Sequence, residues 1–173
     1  MKVKTYSSLH SLHEKYGPRE FGKICQKLLA IAFCLAGYGH VVERGVQGVD
    51  VDAAQDGKGR LSVEVKTTVK DSVVFGVKDR KGLLARAKDG YRPLLAVLQI
   101  GPLSEWYLAD ASTLRVGKLR VESLRPVRLS ELEKEISPRF EESVNEHYVA
   151  ILQGGQSYLD KVLKSRGVQL EES

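Results

Sequence analysis

The segment that most restricts this chain's fold is Leu94-Leu95-Ala96-Val97-Leu98-Gln99-Ile100, opened by Pro93. A run this continuous in apolar residues marks a strand buried on both faces, and such a strand needs a packed layer on each side of its sheet. The flanking segments can supply those layers. From Arg19 to about Ala36, residues Phe21, Ile24, Cys25, Leu28, Leu29, Ala32 and Leu35 recur at helical spacing, with Lys23, Gln26 and Lys27 opposite. Pro18 suits the first helical position, and Gly37-Tyr38-Gly39 provides the stop. Strands are expected at His40–Glu43, Gly48–Ala54 and Leu61–Thr68, the last two joined by the turn Gln55-Asp56-Gly57-Lys58-Gly59 into a hairpin. A short strand at Val73–Val77 precedes a helix over Lys78–Tyr91, which keeps Leu83, Leu84, Ala87 and Tyr91 to one side and Lys78, Lys81 and Lys88 away from it. Further strands are read at Glu105–Ala109 and Lys118–Val127. A helix from Ser137-Pro138 breaks at Gly154-Gly155 and resumes through Leu163. Met1–Tyr16 lacks clear periodicity and is taken as an arm or short irregular element. The expectation is an α/β (α+β) domain, a mixed sheet flanked by helices. It divides into an arm (1–16), a core (17–129) and a C-terminal helical extension (130–173) that packs on the core or a partner.

At 173 residues the chain is long enough for one compact core. Lys and Arg outnumber Asp and Glu by 27 to 22, a surplus that permits a polyanionic partner without requiring one. Cys25 and Cys34 share one helix on roughly opposite faces, so a disulfide between them is excluded geometrically. No Cys/His pattern suggests zinc. The opening residues carry no apolar core of signal-peptide type. No apolar run approaches the roughly 20 residues that span a bilayer. An intracellular, soluble protein with no membrane partner is expected.

The hairpin carries the chemistry. If its turn centres on Gly57, Asp50 faces Glu64 and Asp52 faces Ser62 across the two strands. Alternation then puts Asp50, Glu64 and Lys66 on one side, with Val49, Val51, Val63 and Val65 pointing into the core. Like charges directly opposite one another destabilise a sheet unless something offsets them. A divalent cation would do so. Two carboxylates suit Mg²⁺, which keeps several waters and takes one or two carboxylates. Such an ion can stabilise charge on a phosphate and acidify a bound water. Lys66 beside it could orient the attacking water and offset developing negative charge. Acid pair, cation and lysine together describe phosphodiester hydrolysis.

These residues resemble a known family. Gly48-Val49-Asp50, a short spacer and Ser62-Val63-Glu64-Val65-Lys66 look like the core motif of the PD-(D/E)XK (restriction endonuclease-like) nucleases, in the variant with Glu-x-Lys. Arg19-Glu20-Phe21-Gly22 resembles the additional glutamate of the Holliday junction resolvase and Mrr-like branches, and Leu35-Ala36-Gly37-Tyr38-Gly39 is similar to a phrase found there. The likeness runs from about Gly17 to Thr68. It implies a restriction endonuclease-like core in which Asp50, Glu64 and the Val65 carbonyl bind Mg²⁺ or Mn²⁺, Lys66 serves catalysis and Glu20 completes the site. It also implies a DNA endonuclease of repair, recombination or restriction, leaving 5′-phosphate and 3′-hydroxyl ends. Cutting two strands usually recruits two active sites, which leaves a homodimer open. The alternative is a catalytically silent nucleic-acid-binding module with the same fold.

Other residues are read more plainly. Acid-x-Lys also occurs at Asp56-Gly57-Lys58 and Asp79-Arg80-Lys81, but only Glu64-Val65-Lys66 lies in an apolar strand with an Asp on a pairable neighbour. Asp52 is taken as a polar residue on the open face of the hairpin. Lys78, Lys81 and Lys88 are candidates for phosphate contacts, set against the commoner solvated helix face. His10 and His13 are taken as incidental, Gln99 as a weak candidate support for the site, and Trp106 and Tyr107 as packing residues.

Overall fold

The structure is a computed structural model and describes residues 1–45, 49–101 and 105–171. Strands β1 (His40–Arg44), β2 (Val51–Gln55), β3 (Gly59–Thr68), β5 (Arg92–Gln99), β6 (Trp106–Asp110) and β8 (Gln169–Glu171) form a six-stranded sheet in the order β6-β5-β3-β2-β1-β8. The sheet is mixed: β3/β5 and β1/β8 are parallel, and the other pairs are antiparallel. Between β3 and β5 the chain passes through β4 (Ser72–Phe75) and helix α2 (Val77–Lys88), and β4 pairs with β7 (Gly117–Arg120) in a separate ribbon. Helices α1 (Val3–Leu35) and α3 (Ser130–Ser165) complete the chain.

Both faces of the central strand are covered, as its composition requires. Leu94, Ala96 and Leu98 pack with Val51, Val63, α1 and α3 on one side. Leu95 and Val97 pack with Phe75, Leu83, Val121 and Leu124 on the other. The second face carries the site, since Glu64 pairs with Leu95 and Lys66 with Val97 in the parallel ladder.

Several expectations are corrected. Residues 3–16 are helical, the first limb of α1, which bends at Gly17 (φ 75°, ψ 168°) and Pro18. Their buried stripe is Thr5, Ser8, Leu9 and Leu12; two hydroxyl residues dilute the apolar pattern, and the covering partner is α3, remote in sequence. Gln26 and Lys27 do not form an outer face with Lys23, because residues 24–33 of α1 are buried all round. The strand read at Lys118–Val127 ends at Arg120 and continues as a 3-10 helix over Val121–Val127. α3 starts at Ser130, earlier than read, and bends at Gly155 (φ 54°, ψ −142°). The two bends meet: Tyr16 Oη donates to Ile151 O, and Gly155 lies against the Tyr16 ring. Gly48, read as the start of a strand, lies outside the described residues.

Candidate active site

The hairpin register is the one expected from a turn at Gly57, with Asp52 opposite Ser62 and Val51 opposite Val63. The ladder then stops. Asp50 lies in a bend, and its N–H donates to Val63 O at 2.9 Å. Its side chain turns along β3, where Oδ2 accepts the Val65 N–H at 2.8 Å. Asp50 therefore meets β3 through its carboxylate and not as a ladder partner of Glu64. Alternation breaks at the same place, and Val49 packs on the opposite side of the sheet from Val51, Val63 and Val65.

Asp50, Glu64 and Lys66 converge where β2 leaves β3. The Lys66 ammonium lies 2.8 Å from Glu64 Oε1 and 2.7 Å from Asp79 Oδ2. Lys23, from α1, sits 4.0 Å from Asp50 Oδ1. Behind Asp50, Gln26 donates to Glu43 Oε1 at 2.6 Å, to Arg44 O at 3.1 Å and to Asp50 O at 3.4 Å. Burial and the neighbouring Asp50 charge push the Glu64 carboxyl up to about 8, against the pull of Lys66. Burial also raises Asp50, although the Val65 N–H, Lys23 and Lys66 oppose it. Burial acts against the charged form of Lys66, but Glu64 and Asp79 outweigh it and raise its pKa. Ionising Glu64 would set three carboxylates, Asp50, Glu64 and Asp79, against Lys23 and Lys66.

The residues fit a hard divalent cation. Val63 O faces β2, so Val65, two residues on, turns its carbonyl to the same edge, beyond the point where β2 ends. Two carboxylates and a carbonyl are an oxygen donor set of the kind Mg²⁺ accepts alongside its own waters. Among the described residues no group of three or more His, Cys, Asp or Glu is placed to hold a metal ion.

Glu20 lines a polar cleft of about 900 Å³ beside this cluster, with Arg19, Lys23, Lys27 and Lys164. Among the described residues no hydrogen bond or ion pair joins it to Asp50 or Glu64. Lys78, Lys81 and Lys88 are exposed on the outer side of α2, away from the cluster. Asp52 is not on an open face: it is 1 % exposed, bonded to Ser62 at 2.6 Å and paired with Arg44 and Arg86 at 2.8 and 2.7 Å. Gln99 donates to Lys70 O at 3.0 Å, bracing the turn after β3. His10 pairs with Glu14, and His13 packs edge-on to Phe21. Trp106 is buried against Phe140, and the Arg128 guanidinium lies over the Tyr107 ring.

Sequence reasoning missed Asp79, Lys23 and Gln26. In sequence, Asp79 belongs to an acid-x-Lys triplet outside any apolar strand with an Asp on a pairable neighbour. Its spacing from Leu83 and Arg86 (four and seven residues) does place the three on one helical face, the only signal available.

No protein-family model matches the chain, and no curated protein matches it. A solved structure does: Hjc, a Holliday junction resolvase from the archaeal hyperthermophile Archaeoglobus fulgidus, 17 % identical, with a TM-score of 0.52 over 65 % of this chain and 95 % of that one. At this identity the similarity establishes the fold. With its mixed sheet flanked by helices, the chain has the fold of that resolvase.

Proposed function

We propose that this chain is a metal-dependent nuclease that hydrolyses DNA phosphodiester bonds, an endonuclease of repair, recombination or restriction. The observation that carries the reading is the convergence of Asp50, Glu64 and Lys66 at the gap between β2 and β3. Asp50, Glu64 and the Val65 carbonyl would hold Mg²⁺ or Mn²⁺. When bound, the ion supplies positive charge to the scissile phosphate and acidifies a water. The chain's own residues do the rest. Lys66 orients the attacking water and offsets charge building on the phosphate. The Val65 N–H fixes Asp50, and Gln26 braces the peptide behind it. Glu20 would complete the site from the α1 side of the cleft. Hydrolysis joins the water oxygen to phosphorus and breaks the bond to the 3′ oxygen, leaving 5′-phosphate and 3′-hydroxyl ends. Lys78, Lys81 and Lys88 would contact phosphates further along the strand. Cutting both strands fits a homodimer with two sites.

The fold neighbour is a Holliday junction resolvase, which makes branched DNA the first substrate to try. Purified protein is incubated with four-way junction, linear duplex and plasmid DNA in Mg²⁺ or Mn²⁺, with and without EDTA. Cleavage is expected with metal, none with EDTA, and a rate about 100- to 1000-fold lower in Lys66→Ala. DNA binding without cleavage in either metal leaves the silent binding module as the reading.

A further inference from the structure

Lys66 is held by two carboxylates from different elements. Glu64 is its neighbour two residues along the same strand, while Asp79 comes from the first turn of α2. The two are not equivalent. If Glu64 ligates a divalent ion, its charge is shared, its attraction for Lys66 falls, and the ion repels the ammonium beside it. A lysine on a four-carbon stem would then swing towards solvent unless something else held it.

Asp79 is built to hold it. One oxygen, Oδ2, accepts both the Gly76 N–H at 2.8 Å and the Lys66 ammonium at 2.7 Å, so a single carboxylate ties the start of α2 to β3. The side chain is 16 % exposed, and α2 is fixed on the sheet by the buried Leu83. Burial raises the Asp79 pKa, but the bonds from Lys66 and Gly76 outweigh it and hold the carboxyl below its ordinary range, so the anion persists. Capping alone would need no lysine on the same oxygen.

We propose that Asp79 is a positioning residue for Lys66, keeping the ammonium at the reacting centre while Glu64 is engaged by a cation. This rests on the nuclease reading for its consequence, but the holding contact is a property of the metal-free chain. The experiment therefore has two arms. In the first, the ε-ammonium nitrogen signals of ¹⁵N-lysine-labelled, metal-free protein are recorded by NMR, with the Lys66 signal assigned from its loss in Lys66→Ala. The signal is expected to survive in Glu64→Gln and to vanish through fast proton exchange in Asp79→Asn, whose amide oxygen can still accept the Gly76 N–H. Survival in Asp79→Asn with loss in Glu64→Gln overturns the proposal.

In the second arm, single-turnover cleavage is measured with Mg²⁺. Asp79→Asn should lose about 10- to 100-fold in rate with unchanged DNA affinity and unchanged Mg²⁺ midpoint, and Asp79→Glu should recover part of that loss. A rate within twofold of the parent protein refutes the role. If Asp79→Asn melts below the assay temperature, Asp79→Gln replaces it, since glutamine at this helix position also caps. Should the parent protein cut no DNA in any metal, the nuclease reading fails and the NMR arm still decides Asp79.

Discussion

Glu64 is 6 % exposed, borders Asp50, and relies on Lys66 for its counter-charge. Its carboxyl is raised from an ordinary 4.5 to about 8. Within that window the folded chain keeps a proton that the unfolded chain has released, so ionising Glu64 works against the fold. Its contribution to stability is complete below the unfolded value and is lost as pH rises through the folded one. Metal-free protein is expected to lose up to about tenfold in its folding equilibrium per pH unit across this window relative to Glu64→Gln, which removes the group. Thermal melts of both proteins at pH 5.5 to 8.5 measure the difference. Adding Mg²⁺ at pH 8 should close the gap for the parent protein only. Identical pH profiles would show that the Glu64 carboxyl is not raised in the folded chain. At this scale the sequence was informative where chemistry and strand alternation coincide. A turn at Gly57 is enough to bring Glu64 and Lys66 to one face and Asp52 opposite Ser62. The same alternation failed at Asp50 and Val49, because the bend that frees the Asp50 carboxylate also ends the regular strand. It could not disclose Asp79 at all, because that contact exists only once α2 is docked.

The elements were legible in proportion to how local their causes are. The β2–β3 hairpin, the second limb of α1 and the doubly buried β5 each follow from a pattern inside a single segment. The first limb of α1 does not, since its stripe of Thr5, Ser8, Leu9 and Leu12 earns burial only against α3. Nor does β8, three residues long and set beside β1 by α3. The two long helices bend where they meet. At Gly155 a Cβ would find the Tyr16 ring at 3.5 to 3.7 Å, ordinary contact, so space does not require glycine there. Conformation does: φ 54° with ψ −142° is all but closed to other residues. Gly155→Ala is therefore expected to destabilise the protein by about 1–3 kcal/mol, measured by urea denaturation. Cleavage by the folded fraction should change less than stability, because α3 packs on the face of the sheet away from Glu64 and Lys66 and reaches the site only through the cleft that Glu20 lines. A neutral substitution would mean that the helices can straighten past each other at no cost.

Over the whole molecule, positive side chains differ in whether an acid neutralises them, which no local pattern reveals. On α3 and the nearby turn, Lys134, Arg139 and Lys58 are each paired with a glutamate, Glu131, Glu142 and Glu135 respectively, whereas Lys161 and Lys164 of α3 have no acidic partner among the described residues. On the outer side of α2, Lys78, Arg80, Lys81 and Lys88 have no acidic partner among the described residues, and they share the side of the sheet that bears Glu64 and Lys66. A net charge of +5 is too small to identify a DNA-binding protein, but a field depends on where the unpaired charges lie. Each phosphate neutralised on duplex DNA contributes about 0.9 to the slope of log affinity against log salt. If Lys78, Lys81 and Lys88 each meet a phosphate, replacing all three with Gln should lower that slope by roughly 2 to 3 and weaken binding about equally for all sequences. Replacing Lys58, Lys134 and Arg139 with Gln removes the same formal charge from the opposite side and should leave the slope nearly unchanged. Anisotropy titrations on one duplex across a salt series, in EDTA to prevent cleavage, compare the two variants directly. Equal loss in both would mean that DNA responds only to total charge; loss confined to the α3 set would place the duplex on the wrong face of the sheet for Lys66 to reach a phosphate.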